Sequence, residues 1–126
     1  MVRTKTSTES APAPIAPYSQ AVRIGNTIAV AGQAGVDPTN AKIVSPDVAA
    51  QTIQTFKNIE AILHAAAATL DDVIRVDVYL ADLADFADMN AEYEKVFTPP
   101  YPARTTVGVG LPAGLKVEIT VLAVLD

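Results

Sequence analysis

Two charged residues lie in segments that are otherwise small or apolar. Arg104 follows Tyr101-Pro102-Ala103 at the start of a strand-like run, and on a strand Thr106 and Gly108 fall on the same side as Arg104. An arginine among small residues has open space in front of its guanidinium. A carboxylate can fill that space through two parallel hydrogen bonds; the plainer alternative is an arginine bridged to a neighbouring acid at a strand end. Glu118 lies inside Val117-Glu118-Ile119-Thr120-Val121. A buried carboxyl either finds a partner or holds its proton more tightly, and a general acid or base uses the second condition near neutral pH. On adjacent strands Arg104 and Glu118 would be able to pair with each other, which suits a structural ion pair and a site equally.

Most other chemistries are excluded by what the chain lacks. It has no cysteine, so there is no disulfide frame, thiolate nucleophile or cysteine-held metal. The single histidine, His64, has no partner with which to share a metal, and helix packing or exposure accounts for it. Asp82, Asp85 and Asp88 are spaced by three, but acids at a helix start favour its dipole without any cation. No metal and no cofactor is expected. Ser19 and Ser45 have no histidine at useful spacing, so a serine hydrolase is not indicated. With 9 basic and 14 acidic residues the formal net charge is −5, and the sequence pI is about 4.7; that field repels a phosphate backbone and argues against nucleic-acid binding. No apolar run reaches the length of a membrane span.

The elements that must position these residues fit one domain of 126 residues. Residues 1–13 are expected to be a disordered tail, being Ser/Thr-rich and then proline-rich, with no apolar stretch of the secretory type, and a cytoplasmic protein is expected. The domain is placed at 14–126. Ala21–Ile24 and Thr27–Gly32 flank Gly25-Asn26 as a hairpin, and Val36–Ile43 reads as a loop. A first helix is expected from Ser45 as N-cap, with Pro46 in its first position, to about Ala68. Val73–Leu80 alternates as a strand with Ile74, Val76, Val78 and Leu80 on one face. A second helix, Asp85–Phe97, carries Phe86, Met89, Tyr93, Val96 and Phe97 as its apolar stripe, and two strands follow at Arg104–Val109 and Lys116–Leu125. The order ββαβαββ gives an α+β fold with two helices on one sheet face. Tyr79, Leu122 and Val124 on the other face need a cover, so a homo-oligomer with a site near its seams is expected.

The chain also carries a set of ordered motifs: Ala16-Pro17-Tyr18-Ser19-Gln20-Ala21, Gly25-Asn26, Ala31-Gly32-Gln33, Gln51-Thr52 with Asn58-Ile59, Asp71-Asp72-Val73, Asn90-Ala91-Glu92-Tyr93, Pro102-Ala103-Arg104-Thr105 and Val117-Glu118-Ile119. In order and spacing these resemble the RidA (YjgF) family over residues 14–126. The resemblance implies a chorismate-mutase-like fold assembled as a homotrimer with clefts at its seams. It also implies cofactor-independent hydrolysis of reactive 2-imino acids, or their enamine tautomers, to 2-oxo acids and ammonia. Carried over by position, Arg104 binds the substrate carboxylate and Glu118 activates water, with Tyr18, Gly32, Asn90 and Thr106 around the substrate. Three positions depart from the pattern: Ala31 stands where many relatives have Ser or Thr, Thr106 where many have Cys, and Gly108 where deaminating relatives often have Glu.

Two further readings belong to different classes. One is a non-catalytic regulatory protein that holds a small carboxylate such as a 2-oxo acid on Arg104. The other is ribonuclease activity, as ascribed to some relatives, against which the acidic pI, the single histidine and the lack of a basic stripe all count.

Overall fold

The computed structural model describes residues 2–126. Among the described residues there are eight strands: β1 (Thr4–Thr6), β2 (Ala21–Ile24), β3 (Thr27–Ala34), β4 (Val36–Asp37), β5 (Lys42–Ile43), β6 (Val73–Leu80), β7 (Ala103–Gly108) and β8 (Val117–Val124). The helices are α1 (Val48–Ala65) and α2 (Phe86–Tyr93). Six strands form one sheet in the order β1-β2-β3-β8-β6-β7, antiparallel except for the parallel β6–β7 pair, and β4 and β5 make a separate small hairpin. The α+β architecture with two helices on one sheet face is as expected.

The helix-facing side of the sheet is aliphatic. Ile28, Val76, Val78, Val117 and Ile119 are fully buried against Ile59, Ile62 and Leu63 of α1 and Met89 of α2; each such side chain contributes about 1.5–3 kcal/mol on leaving water. Phe56, Tyr93 and Phe97 meet as an aromatic cluster with centroid separations of 5.2–5.8 Å, tying α1 to α2. No helix among the described residues is long and apolar enough to cross a membrane.

Three local expectations are corrected. The segment expected to be a disordered tail carries β1, paired in register with β2 through Thr4↔Arg23 to Thr6↔Ala21. It is pinned by the buried Gln20, whose side chain donates to the carbonyls of Thr8, Ala11 and Pro12 and accepts from the Thr8 N–H. The loop at 36–43 contains β4 and β5. Asp47, not Ser45, is the N-cap of α1: its carboxylate accepts from Ala50 N–H at 3.0 Å, while Ser45 Oγ accepts from Asp47 N–H. Asp47 is itself extended (φ −84°, ψ 129°), so helical backbone begins only at Val48, and Ser45 closes a turn ahead of the helix instead of capping it.

The ends of the helices also fall short of expectation. Helix α1 stops at Ala65 because Ala67 adopts the left-handed conformation (φ 61°), with Ala68 N–H bonded to Leu63 O and Ala67 N–H to His64 O. This is the Schellman closure usually made by glycine. Helix α2 ends at Tyr93, and turns carry the chain on to Phe97. In β6 an irregularity between Val73 and Arg75 turns Ile74 outward to 51% exposure, so Val73, Val76, Val78 and Leu80 form the buried row.

Candidate functional site

Arg104 sits on β7, an edge strand of the sheet, and pairs in register with Val76 of β6. Val76 is a core residue, so Arg104 projects to the helix-covered face, where α2 lies over it. Residues 86, 90 and 93 share one side of α2 at spacings of four and three, and all three meet the guanidinium. Asn90 Oδ1 accepts from Arg104 Nη1 at 2.8 Å, the Tyr93 ring centroid lies 4.4 Å from the guanidinium carbon, and that of Phe86 lies 5.5 Å away. Asn90 in turn donates to Glu94 Oε1 at 3.2 Å, which sets its amide with the oxygen toward Arg104.

The partners of Arg104 do not cancel its charge. Among the described residues no carboxylate lies within salt-bridge distance of it; the two ion pairs are Arg75–Asp77 and Lys95–Glu92. The arginine is held in place by two π faces and an amide oxygen. Burial pushes the Tyr93 hydroxyl above its ordinary range, partly opposed by the Arg104 charge, so the ring beneath the guanidinium is neutral at physiological pH. Beside this group lies a cavity of about 320 Å³ lined by Asn90, Tyr93, Glu94, Tyr101, Pro102 and Arg104, at the lower end of the range for small-molecule sites. The Thr106 hydroxyl, on the same side of β7, is buried with no hydrogen-bond partner among the described residues, as is the Tyr93 hydroxyl. Gly108 packs against Leu83, whose side chain would lie 3.0 Å from a Cβ at that position.

Glu118 is elsewhere. It pairs with Ala34 of β3 and Tyr79 of β6, and its neighbours Val117 and Ile119 are core residues, so its carboxylate points to the uncovered face of the sheet. It is half-buried and has no hydrogen-bonding or ionic partner among the described residues. Gly32 lies against it: a methyl group at that glycine would overlap the Glu118 carboxylate. The expectation that Arg104 and Glu118 occupy adjacent strands and pair is therefore corrected. Strand β6 separates β7 from β8, and the two side chains leave opposite faces of the sheet.

The structure thus brings together Arg104, Asn90 and Thr106 as one group and Gly32 with Glu118 as another. Tyr18 lies 47% exposed in the segment entering β2, its N–H bonded to Ala16 O, apart from the Arg104 group in the fold. Asp82 caps the 3₁₀ turn Leu83–Asp85, its carboxylate accepting from Ala84 N–H, and Asp85 stands at the N-cap position of α2 without a capping bond. Sequence reasoning treated Phe86 and Tyr93 only as a core stripe; the missed signal was their placement on one helix side with Asn90.

The fold and this geometry define a class: an α+β protein with one helix-covered and one uncovered sheet face, whose edge strand presents an un-neutralised guanidinium to a small cavity. Comparison with known proteins makes the class specific. The Endoribonuclease L-PSP family matches residues 8–125, and the chain belongs to that family, the RidA/YjgF group. A RutC family protein of Pyrococcus abyssi is 49% identical, with 92% of each chain covered. The 2-iminobutanoate/2-iminopropanoate deaminase of Escherichia coli is 43% identical, with 94% of each covered. The structure of Escherichia coli TdcF with bound serine superposes with a TM-score of 0.92 at 36% identity, covering 98% of this chain and 99% of that one.

Proposed function

We propose that this protein hydrolyses 2-imino acids, or their enamine tautomers, to 2-oxo acids and ammonia, at sites completed by two copies of the chain. The observation that carries this reading is Arg104: a partly buried guanidinium held rigidly by neutral groups and left without a carboxylate of its own. Such an arrangement reserves the charge for an anionic ligand. The bound serine in the TdcF structure carries an α-carboxylate of the same kind, and the Escherichia coli deaminase relative acts, by its name, on two small imino acids.

In this reading the substrate carboxylate lies on Arg104, with Asn90 and Thr106 beside it. Glu118 holds and polarises a water molecule, and the Gly32 backbone and Tyr18 line the opposite wall. The water oxygen adds to the imine carbon, Glu118 moves the proton toward nitrogen, and the C–N bond of the resulting carbinolamine breaks to release ammonia and leave the 2-oxo acid. The imine carbon is already electrophilic, so fixing the carboxylate and one water accounts for most of the acceleration required.

Because Arg104 and Glu118 leave opposite faces of one sheet, a shared substrate needs the arginine of one copy and the glutamate of another. The uncovered face supplies a reason for that contact: Val22, Ala29, Tyr79, Leu122 and Val107 are partly exposed there and want a cover. A homotrimer with its sites at the seams satisfies both demands.

The test is 2-oxo acid or ammonia release when 2-iminopropanoate and 2-iminobutanoate are generated in situ by an amino-acid oxidase. Acceleration by the wild type that is lost in Arg104→Ala supports the reading. A folded wild type that binds 2-oxobutanoate through Arg104 without accelerating either reaction identifies a carboxylate-binding regulatory protein instead.

A further inference from the structure

Helix α1 buries an unusual row of polar side chains: Gln51, Thr52, Thr55 and Asn58 are all fully inaccessible. The threonines bond back to their own helix, Thr52 to Val48 O and Thr55 to Gln51 O. The two amides do something else. Gln51 donates to Ser45 O at 2.8 Å and to Gly114 O at 3.0 Å, and accepts from Lys116 N–H at 2.8 Å. Asn58, two turns further on, donates to Ala34 O at 3.1 Å and Val36 O at 2.9 Å, and accepts from Gln54.

These targets bracket one residue. Lys116 lies two positions before Glu118 on the same segment, and Ala34 is the residue paired with Glu118 across the β3–β8 ladder. That rung lies beyond a register shift between Val30 and Gln33, the stretch that contains Gly32. An irregular ladder does not by itself set where the last rung falls. Gln51 holds the entry to β8, and Asn58 holds the exit of β3. Gly35 lets the second segment approach closely: a Cβ there would lie 2.6 Å from the Gln51 Cα.

We propose that Gln51 and Asn58 are positioning residues for Glu118: from the face of the sheet opposite the carboxylate, they fix the backbone on both sides of it so that it meets the substrate bound by Arg104. The proposal deepens the deaminase reading and rests on it for the role of Glu118. Neither amide touches substrate. Their effect is on the placement of the water-activating group, so it appears in turnover rather than in carboxylate binding.

The experiment uses the full chain carrying Gln51→Met, which keeps the side-chain volume and removes all three bonds. Gln51→Glu, which keeps the acceptor for Lys116 N–H, serves as the second variant if Gln51→Met does not fold. Expected is a fall in kcat of roughly 10- to 100-fold with KM changed less than about threefold, a displaced carboxyl-carbon NMR signal of Glu118, and no further loss when the substitution is combined with Glu118→Gln. An unchanged kcat in the folded variant overturns the proposal, and so does a loss that multiplies with that of Glu118→Gln. If the wild type turns over neither imine, the deaminase reading fails on its own, and the NMR signal then decides: a Glu118 carboxyl resonance unmoved by Gln51→Met overturns the positioning role.

Discussion

Arg104 and Glu118 are both charged strand residues without an ionic partner among the described residues, yet the fold holds them by different means. The guanidinium sits at the end of a long, flexible side chain on an edge strand, and it is fixed by side chains: the Tyr93 and Phe86 rings and the Asn90 amide. The Glu118 carboxyl sits on a shorter side chain in the interior of the sheet, and it is fixed through backbone: the β3 irregularity, the close approach of Gly32, and the amides of Gln51 and Asn58. Both side chains have rotamer freedom to lose; a cage of side chains removes it for Arg104, whereas for Glu118 the backbone sets where the side chain starts and Gly32 bounds one side of its path. The comparison teaches that damage to the two regions should read out differently, as binding on the Arg104 side and as turnover on the Glu118 side.

The largest effect that sharpens this contrast belongs to Arg104→Lys. Lysine keeps the charge but loses the bidentate fork and the stacking plane, so 2-oxobutanoate affinity measured by calorimetry falls roughly 100-fold, the equivalent of about 3 kcal/mol for charge-assisted bonds lost. On the other side, Gly32→Ala forces the Glu118 carboxylate aside; steady-state kinetics should show kcat down about tenfold or more, with KM for 2-iminobutanoate little altered. A Gly32→Ala enzyme with normal kcat and raised KM would break the comparison. A smaller effect is expected for Tyr93→Leu, which removes the closer π face and raises KM about threefold to thirtyfold, corresponding to a cation–π contribution of 0.5–2 kcal/mol, while Tyr93→Phe keeps the ring and most of the affinity. The smallest is a control outside both regions. Ala67→Gly relieves the left-handed alanine at the end of α1, so chemical denaturation should show about 1 kcal/mol of added stability with kinetics unchanged.

The large features of the fold were legible because they rest on periodicity. The alternation of Val76, Val78 and Leu80 and the stripe of Phe56, Ile59 and Leu63 report burial directly. The features that escaped lack a local signature. Ala67 ends α1 in a conformation that the sequence usually marks with glycine, so the alanine run reads as continuing helix. Strand β1 forms because Gln20 anchors the chain between them, a contact over 8 to 12 residues that the Ser/Thr-rich composition of residues 1–10 conceals. Arg104, Thr106 and Glu118 stood out by residue type and strand position, and Asn90 and Gly32 entered as candidates only through the family resemblance. Their separation was not legible, because it depends on β6 lying between β8 and β7 and on the register that sets Arg104 beside the core residue Val76 while Glu118 alternates with the buried Val117 and Ile119; neither strand order nor cross-strand register is written in the spacing of residues along the chain.

If one site draws Arg104 and Glu118 from different copies, two variants that each lack one of these residues will complement each other when mixed. Arg104→Ala and Glu118→Gln proteins, each reduced to a small residual activity alone, are co-refolded in equal amounts and assayed for 2-iminobutanoate hydrolysis. In a cyclic trimer each seam pairs the arginine of one copy with the glutamate of the next, so random mixing restores both residues at about one quarter of the seams; the account predicts recovery of about 25% of wild-type activity. A mixture that forms hybrid trimers and remains as inactive as its components would contradict it.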